Sequence, residues 1–134
     1  HRRKTGALLR ASVRLGAMCG DAPAAASARP GADDTHSPLD DARARLDQYA
    51  EAIGLAFQVV DDILDVEGDA ATLGKTAGKD ADSNKPTYVS VLGLAESKRM
   101  AADLHASALS AIAPLGEAGR RLRELADLIV LRRS

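Results

Sequence analysis

Asp61, Asp62 and Asp65 stand in a D-D-x-x-D spacing inside a run of apolar residues that includes Ile53, Phe57, Val60 and Leu64. Carboxylates three and four residues apart share one side of a helix, and in a confined site they repel one another unless a cation intervenes. An all-oxygen set of this kind suits a hard cation. Mg2+ in particular keeps several waters and shares its coordination sphere with substrate phosphates. With Asp61 at zero on a helical wheel of about 100° per residue, Gly54 falls at about 20°, Asp65 at about 40°, Gln58 at about 60°, Glu51 at about 80° and Asp62 at about 100°. The arc on one side holds Ala50, Ile53, Ala56, Phe57, Val60 and Leu64, and the other side holds Leu55, Val59 and Ile63. A helix that is apolar except for one narrow stripe is expected to be surrounded by other helices, with the stripe facing a cleft. A solvated acidic face is the alternative, and the apolar surround weighs against it. An EF-hand is excluded, because placing Gly68 at the loop's turn position puts Ile63 at the first ligand position and Gly74 where the bidentate glutamate belongs.

Lysines follow the carboxylates closely. Gly68-Asp69-Ala70-Ala71-Thr72-Leu73-Gly74-Lys75-Thr76 superficially resembles a phosphate-binding P-loop, but five residues rather than four separate the two glycines, and a helix rather than a strand precedes them. Lys75, Lys79 and Lys85 are nevertheless separated by small residues that let a loop fold back over the helix end, where lysine contacts phosphate as a point charge. Ordinary solvated lysines fit the spacing equally well. Lys4-Thr5-Gly6 is a weaker feature of the same type, an exposed first turn unless something near it says otherwise.

The elements that carry these residues read as helices. Leu8, Ala11, Leu15 and Met18 recur at steps of three and four, which predicts a helix to about Cys19 with these residues on its apolar face. The stretch 20–39, with Pro23, Pro30 and Pro38 among Gly, Ala, Ser and Asp, reads as a flexible loop. Asp40 and Asp41 fit the cap and first turn of a long helix carrying Leu46, Ala50, Ile53, Phe57, Val60 and Leu64. Residues 67–85 read as a second loop, and Pro86 suits the first turn of the next helix. Helices are predicted over 86–94, 95–112 and 117–132, broken at Gly93, Pro114 and Gly116. No period-2 pattern and no internal repeat is present, so the expected class is all-α, with residues 1–134 forming part of one domain.

Composition excludes several functions. Eighteen basic and nineteen acidic residues balance, and Phe57, Tyr49 and Tyr88 are the only aromatics, which leaves neither a basic patch nor a stacking platform for nucleic acid. Cys19 is the sole cysteine, so there is no disulfide framework, and a reducing, cytoplasmic setting is expected. No apolar run approaches the roughly 18 residues of a membrane span.

Taken together, Lys4-Thr5-Gly6-Ala7-Leu8, Phe57-Gln58-x-x-Asp61-Asp62-x-x-Asp65, Gly74-Lys75-Thr76-Ala77-Gly78-Lys79-Asp80 and Lys85-Pro86-Thr87-Tyr88 resemble the trans-isoprenyl diphosphate synthases of the polyprenyl synthetase family, the bacterial farnesyl diphosphate synthases in particular. The resemblance covers nearly the whole chain. It implies a helical bundle around a central cavity, in which an allylic diphosphate (dimethylallyl or geranyl) is held through Mg2+ between two aspartate-rich motifs and is condensed with isopentenyl diphosphate. It further implies that Asp61, Asp62 and Asp65 serve the metal, that Lys4 and Lys75 bind the diphosphate, that Thr5 and Gln58 line the cation region, and that Lys85 binds substrate less directly. A homodimer is implied as well.

Two departures bear on these expectations. The loop preceding Asp41 is longer than in close relatives. The first aspartate-rich motif and the isopentenyl diphosphate pocket belong upstream of Lys4 in this family, so the chain is expected to be incomplete, to expose apolar faces of its central helix, and to be inactive alone. A non-catalytic or truncated subunit partnering a complete synthase is the alternative function. A terpene cyclase is a third, and the lysine loop and Lys4-Thr5-Gly6 favour the synthase over it.

Overall fold

The computed structural model describes residues 2–20, 38–72 and 86–132, with side chains over 5–19, 40–68 and 86–132. Five α-helices follow in order: α1 Arg2–Gly20, α2 Pro38–Thr72, α3 Tyr88–Leu92, α4 Leu94–Ile112 and α5 Arg120–Leu131, with a 3-10 segment Ala113–Gly119 between the last two. Among the described residues there is no strand, as expected of an all-α chain. The loop predicted at 20–39 falls almost wholly outside the described residues, as does Lys75 and its surroundings at 73–85.

The long helix forms where the periodicity places it, but it is longer at both ends. It starts at Pro38, with Asp40 and Asp41 in its first turn, where carboxylates favour the positive end of the helix. It continues to Thr72, through part of the stretch predicted as loop, because Gly68 alone does not stop a helix whose neighbours Ala70 and Ala71 propagate it. The start of α3 also differs. Thr87 caps it, accepting from the Ser90 N–H at 3.0 Å while Ser90 Oγ accepts from the Thr87 N–H at 2.8 Å, so Pro86 lies outside the first turn. Between α4 and α5 the chain turns at Gly116, whose φ of 55° is a conformation that side chains with a Cβ rarely adopt.

α2 is the axis of the structure, with α1, α4 and α5 packed round it. Tyr49, Ile53 and Ala56 meet Ala108, Ala111 and Ile112 of α4 and Ala126 and Ile129 of α5 in one buried cluster, and Val59, Val60 and Ile63 meet Ala101 in a second. Small residues on α4 let it approach α2 closely. Tyr49 is fully buried and donates its hydroxyl to the Leu122 carbonyl at 2.8 Å. Burial, with a smaller push from Asp127, raises that hydroxyl to about 12, so it remains a neutral donor at ordinary pH.

Two expectations about apolar faces are corrected here. The apolar face of α2 is covered rather than exposed, and the large exposed hydrophobics sit mostly elsewhere: on α1 (Leu8, Leu15, Met18), on α3 (Val91, Leu92) and on α5 (Leu125, Leu128, Leu131). α1 turns its Leu8/Leu15/Met18 stripe outward and packs through its other side, where Gly6, Leu9, Val13 and Ala17 are half-buried. Two local features fix that choice of face. A Cβ built on Gly54 would lie 3.4 Å from Gly6 Cα, so the two helices cross at near backbone contact. Farther along, Arg14 forks onto Asp47 at 2.5 and 2.7 Å with Arg10 at 3.9 Å, and hydrogen bonding from Arg14 holds the Asp47 carboxyl below the usual range.

Candidate cation and diphosphate site

The rigid middle of α2 carries the aspartates, and the packing divides them. Asp61 and Asp65 lie one turn apart on the exposed side, a spacing that puts their Cβ atoms about 5–6 Å from each other. Asp62, about 100° further round the helix, points instead into the protein. It is 2% exposed and accepts the backbone N–H of Tyr88 at 2.8 Å. That N–H belongs to the first turn of α3, where amide groups have no partner within the helix and a carboxylate satisfies one of them. The three-carboxylate stripe of the helical wheel is therefore two outward carboxylates and one inward one that ties α3 to α2.

A group that sequence reasoning did not single out stands against Asp61. Arg132, the residue after α5, pairs with Asp61 Oδ1 through Nη2, donates to the Phe57 carbonyl at 3.4 Å, and lies over the Phe57 ring at 4.4 Å from its centroid. No local pattern announces this contact, because 71 residues separate the two partners.

Gln58 marks the place where α1 meets the aspartate face. Its Nε2 is the nearest atom, at 3.8 Å, to a Cβ built on Gly6, which follows half-buried Thr5 near the start of α1, while the side chain of Lys4 lies outside the described ones. Gln58 also borders two open grooves. One of about 520 Å³ runs between α1 and α2 past Gly6, Ala11, Glu51 and Gly54, and one of about 410 Å³ lies under α3 against Pro86, Tyr88 and Val91. Asp61 and Asp65 line neither groove. Gln58, Asp61 and Asp65 thus share one side of α2 with Gly6 of α1 against Gln58, while Lys75 and Lys85 lie outside the described residues.

Among the described residues no group of three or more His, Cys, Asp or Glu side chains is arranged to hold a metal ion. Asp61 and Asp65 remain as an exposed, all-oxygen pair without a soft ligand nearby. Such a pair fits a hard cation that completes its sphere with water and phosphate oxygens, the habit of Mg2+, and does not fit a closed structural site. Among the described residues no helix is long and apolar enough to cross a membrane.

Comparison with known proteins gives the family. A family model described as polyprenyl synthetase matches residues 1–114. The chain is 50% identical over 125 residues to a protein of Bradyrhizobium diazoefficiens named "Probable farnesyl diphosphate synthase", covering 93% of this chain and 34% of that one. It is 46% identical over 134 residues to the farnesyl diphosphate synthase of Haemophilus influenzae, covering 100% of this chain and 40% of the relative. A crystal structure assigned to a farnesyl-diphosphate synthase of Marinomonas sp. MED121 superposes with a TM-score of 0.66 at 36% identity, over 97% of this chain and 37% of that one. The chain therefore spans about a third to two fifths of the length of these relatives. With a family model matching most of its length and an all-α arrangement shared with a solved relative, the chain belongs to the polyprenyl synthetase family.

Proposed function

We propose that this chain forms one wall of the active site of a short-chain prenyltransferase, which condenses isopentenyl diphosphate with dimethylallyl diphosphate to give geranyl diphosphate and with geranyl diphosphate to give farnesyl diphosphate, releasing one diphosphate at each condensation. The observation that carries this reading is the placement of Asp61 and Asp65 on one exposed face of α2, with Gln58 one turn before them and the start of α1 against Gln58. Asp61 and Asp65 would hold Mg2+ by their carboxylate oxygens, with Asp62 supporting the helix from behind rather than ligating. The bound cation supplies charge neutralisation for the departing diphosphate.

The remaining work falls to this chain's own groups. Lys4, Lys75 and Lys85 offer point charges to diphosphate oxygens and add to the stabilisation of the leaving group. The allylic C–O bond breaks with its electron pair on oxygen, and the side-chain oxygens of Thr5 and Gln58 face the carbon skeleton as dipoles that orient the allylic cation. The double bond of isopentenyl diphosphate supplies the electrons for the new C–C bond, and loss of one proton from the adduct restores neutrality at carbon. A homodimer is part of the proposal on family grounds alone.

The test uses the full product of the gene, isopentenyl diphosphate, geranyl diphosphate and Mg2+, with the product separated by chain length. Farnesyl diphosphate is expected from the wild type, and Asp61→Asn is expected to lower the rate at least about 100-fold, the scale of several kcal/mol of charge stabilisation. An Asp61→Asn variant that keeps the wild-type rate would remove Asp61 from the mechanism.

A further inference from the structure

Arg132 pairs with one carboxylate oxygen of Asp61, a residue proposed above to hold the cation. Its guanidinium is held by three contacts: the Asp61 carboxylate, the Phe57 carbonyl and the Phe57 ring face. Its side chain is 28% exposed, yet Nε is buried without a hydrogen-bond partner. A buried N–H with no acceptor is unfavourable, so leaving this position returns a donor to water and offsets part of what the ion pair contributes. The backbone also permits departure. Arg132 is the residue that caps α5, extended at φ −60° and ψ 141°, so it can swing outward without unwinding any turn of that helix.

A divalent cation on Asp61 would stand within a few ångströms of the guanidinium on the same carboxylate, and two like charges that close repel each other in a partly desolvated site. We propose that Arg132 is the resident counter-ion of the cation site. In the metal-free protein it neutralises and orients Asp61, and it leaves that carboxylate when a divalent cation binds. Arg132 therefore lowers the intrinsic affinity of the site and couples cation loading to detachment of its own side chain from the α2 face. This inference rests on the reading of Asp61 as a cation ligand.

The two ideas separate in one titration series. Mn2+ alone, without substrate, is titrated calorimetrically into the full gene product as wild type, Arg132→Gln, Asp61→Asn and the double variant, and each protein is melted with and without saturating Mn2+. Arg132→Gln is expected to bind Mn2+ about three- to tenfold more tightly, the scale of a partly exposed ion pair no longer being displaced. Its melting temperature is expected to fall in the metal-free form and to rise more than the wild type's on adding Mn2+. Asp61→Asn is expected to weaken Mn2+ binding tenfold or more, and in that background Arg132→Gln should change affinity by less than twofold. If Asp61→Asn weakens binding while Arg132→Gln leaves it unchanged or weaker, the counter-ion role is wrong and the cation site stands. If Asp61→Asn binds Mn2+ as well as the wild type does, Asp61 is not a ligand and both ideas fall.

Discussion

Replacing Asp62 by alanine and, separately, by asparagine distinguishes an anchoring carboxylate from a metal ligand. Asp62 is 2% exposed and accepts the Tyr88 N–H at 2.8 Å, and Tyr88 is packed against the Val59, Val60 and Ile63 cluster. Alanine removes a charged acceptor from a first-turn amide that no other group of its own helix can satisfy. A hydrogen bond to a charged group contributes about 1.5–3 kcal/mol, so Asp62→Ala is expected to cost about 2–3 kcal/mol. Asparagine keeps an acceptor oxygen in the same place and loses only the charge facing the start of α3, which is expected to cost about 0.5–1 kcal/mol. Urea unfolding followed by helical circular dichroism measures both, since at about 1–3 kcal/mol per molar urea the alanine variant should unfold about 1 M earlier than the wild type. Mn2+ titration of the same variants completes the assay. Asp62→Asn is expected to bind Mn2+ within about threefold of the wild type. Loss of Mn2+ affinity in Asp62→Asn as large as that in Asp61→Asn, or an alanine variant as stable as the wild type, refutes the anchoring role.

Two further outcomes follow from the packing. At Gly54 a Cβ meets Gly6 Cα at 3.4 Å, an ordinary contact, so Gly54→Ala is expected to be stabilising by about 0.5–1 kcal/mol through helix propensity, while Gly54→Val pushes α1 away and costs about 1–3 kcal/mol. Thermal melts rank the three proteins, and a valine variant as stable as the wild type would contradict the close crossing. Tyr49 holds its proton to about pH 12 in the folded state but only to about 10 when unfolded, so its contribution is intact below pH 10 and is lost as pH rises from 10 to 12. The loss is expected to be about 2–3 kcal/mol. Tyr49→Phe should remove that alkaline decline while costing about 1 kcal/mol at neutral pH for the lost bond to Leu122, as read from urea midpoints across pH.

Much of this molecule was legible along the chain because its signals are local. The three- and four-residue steps of α2 depend only on helix geometry, and Gly93, Pro114 and Gly116 stand at the breaks between α3, α4 and α5. The end of α2 was misread because glycine and charge lower helix propensity without forbidding it. α3 starts later than Pro86 suggests, because Thr87 and Ser90 cap it reciprocally and a local proline preference does not outweigh two hydrogen bonds.

The residue types of the site were likewise visible, since carboxylates at i and i+4 share a helix face in any fold. Which face α1 buries was not, because Leu8, Leu15 and Met18 are as periodic as Gly6, Leu9, Val13 and Ala17, and only the presence of Gly54 and Asp47 opposite decides between them. The division of the aspartates has the same origin. By itself the sequence determined that α2 carries a stripe of carboxylates in an apolar setting. The tertiary structure alone decided that Asp62 turns inward to an amide 26 residues away and that Asp61 meets a guanidinium 71 residues away. Those partners are set by how helices pack, and packing joins residues whose separation along the chain leaves no periodic trace.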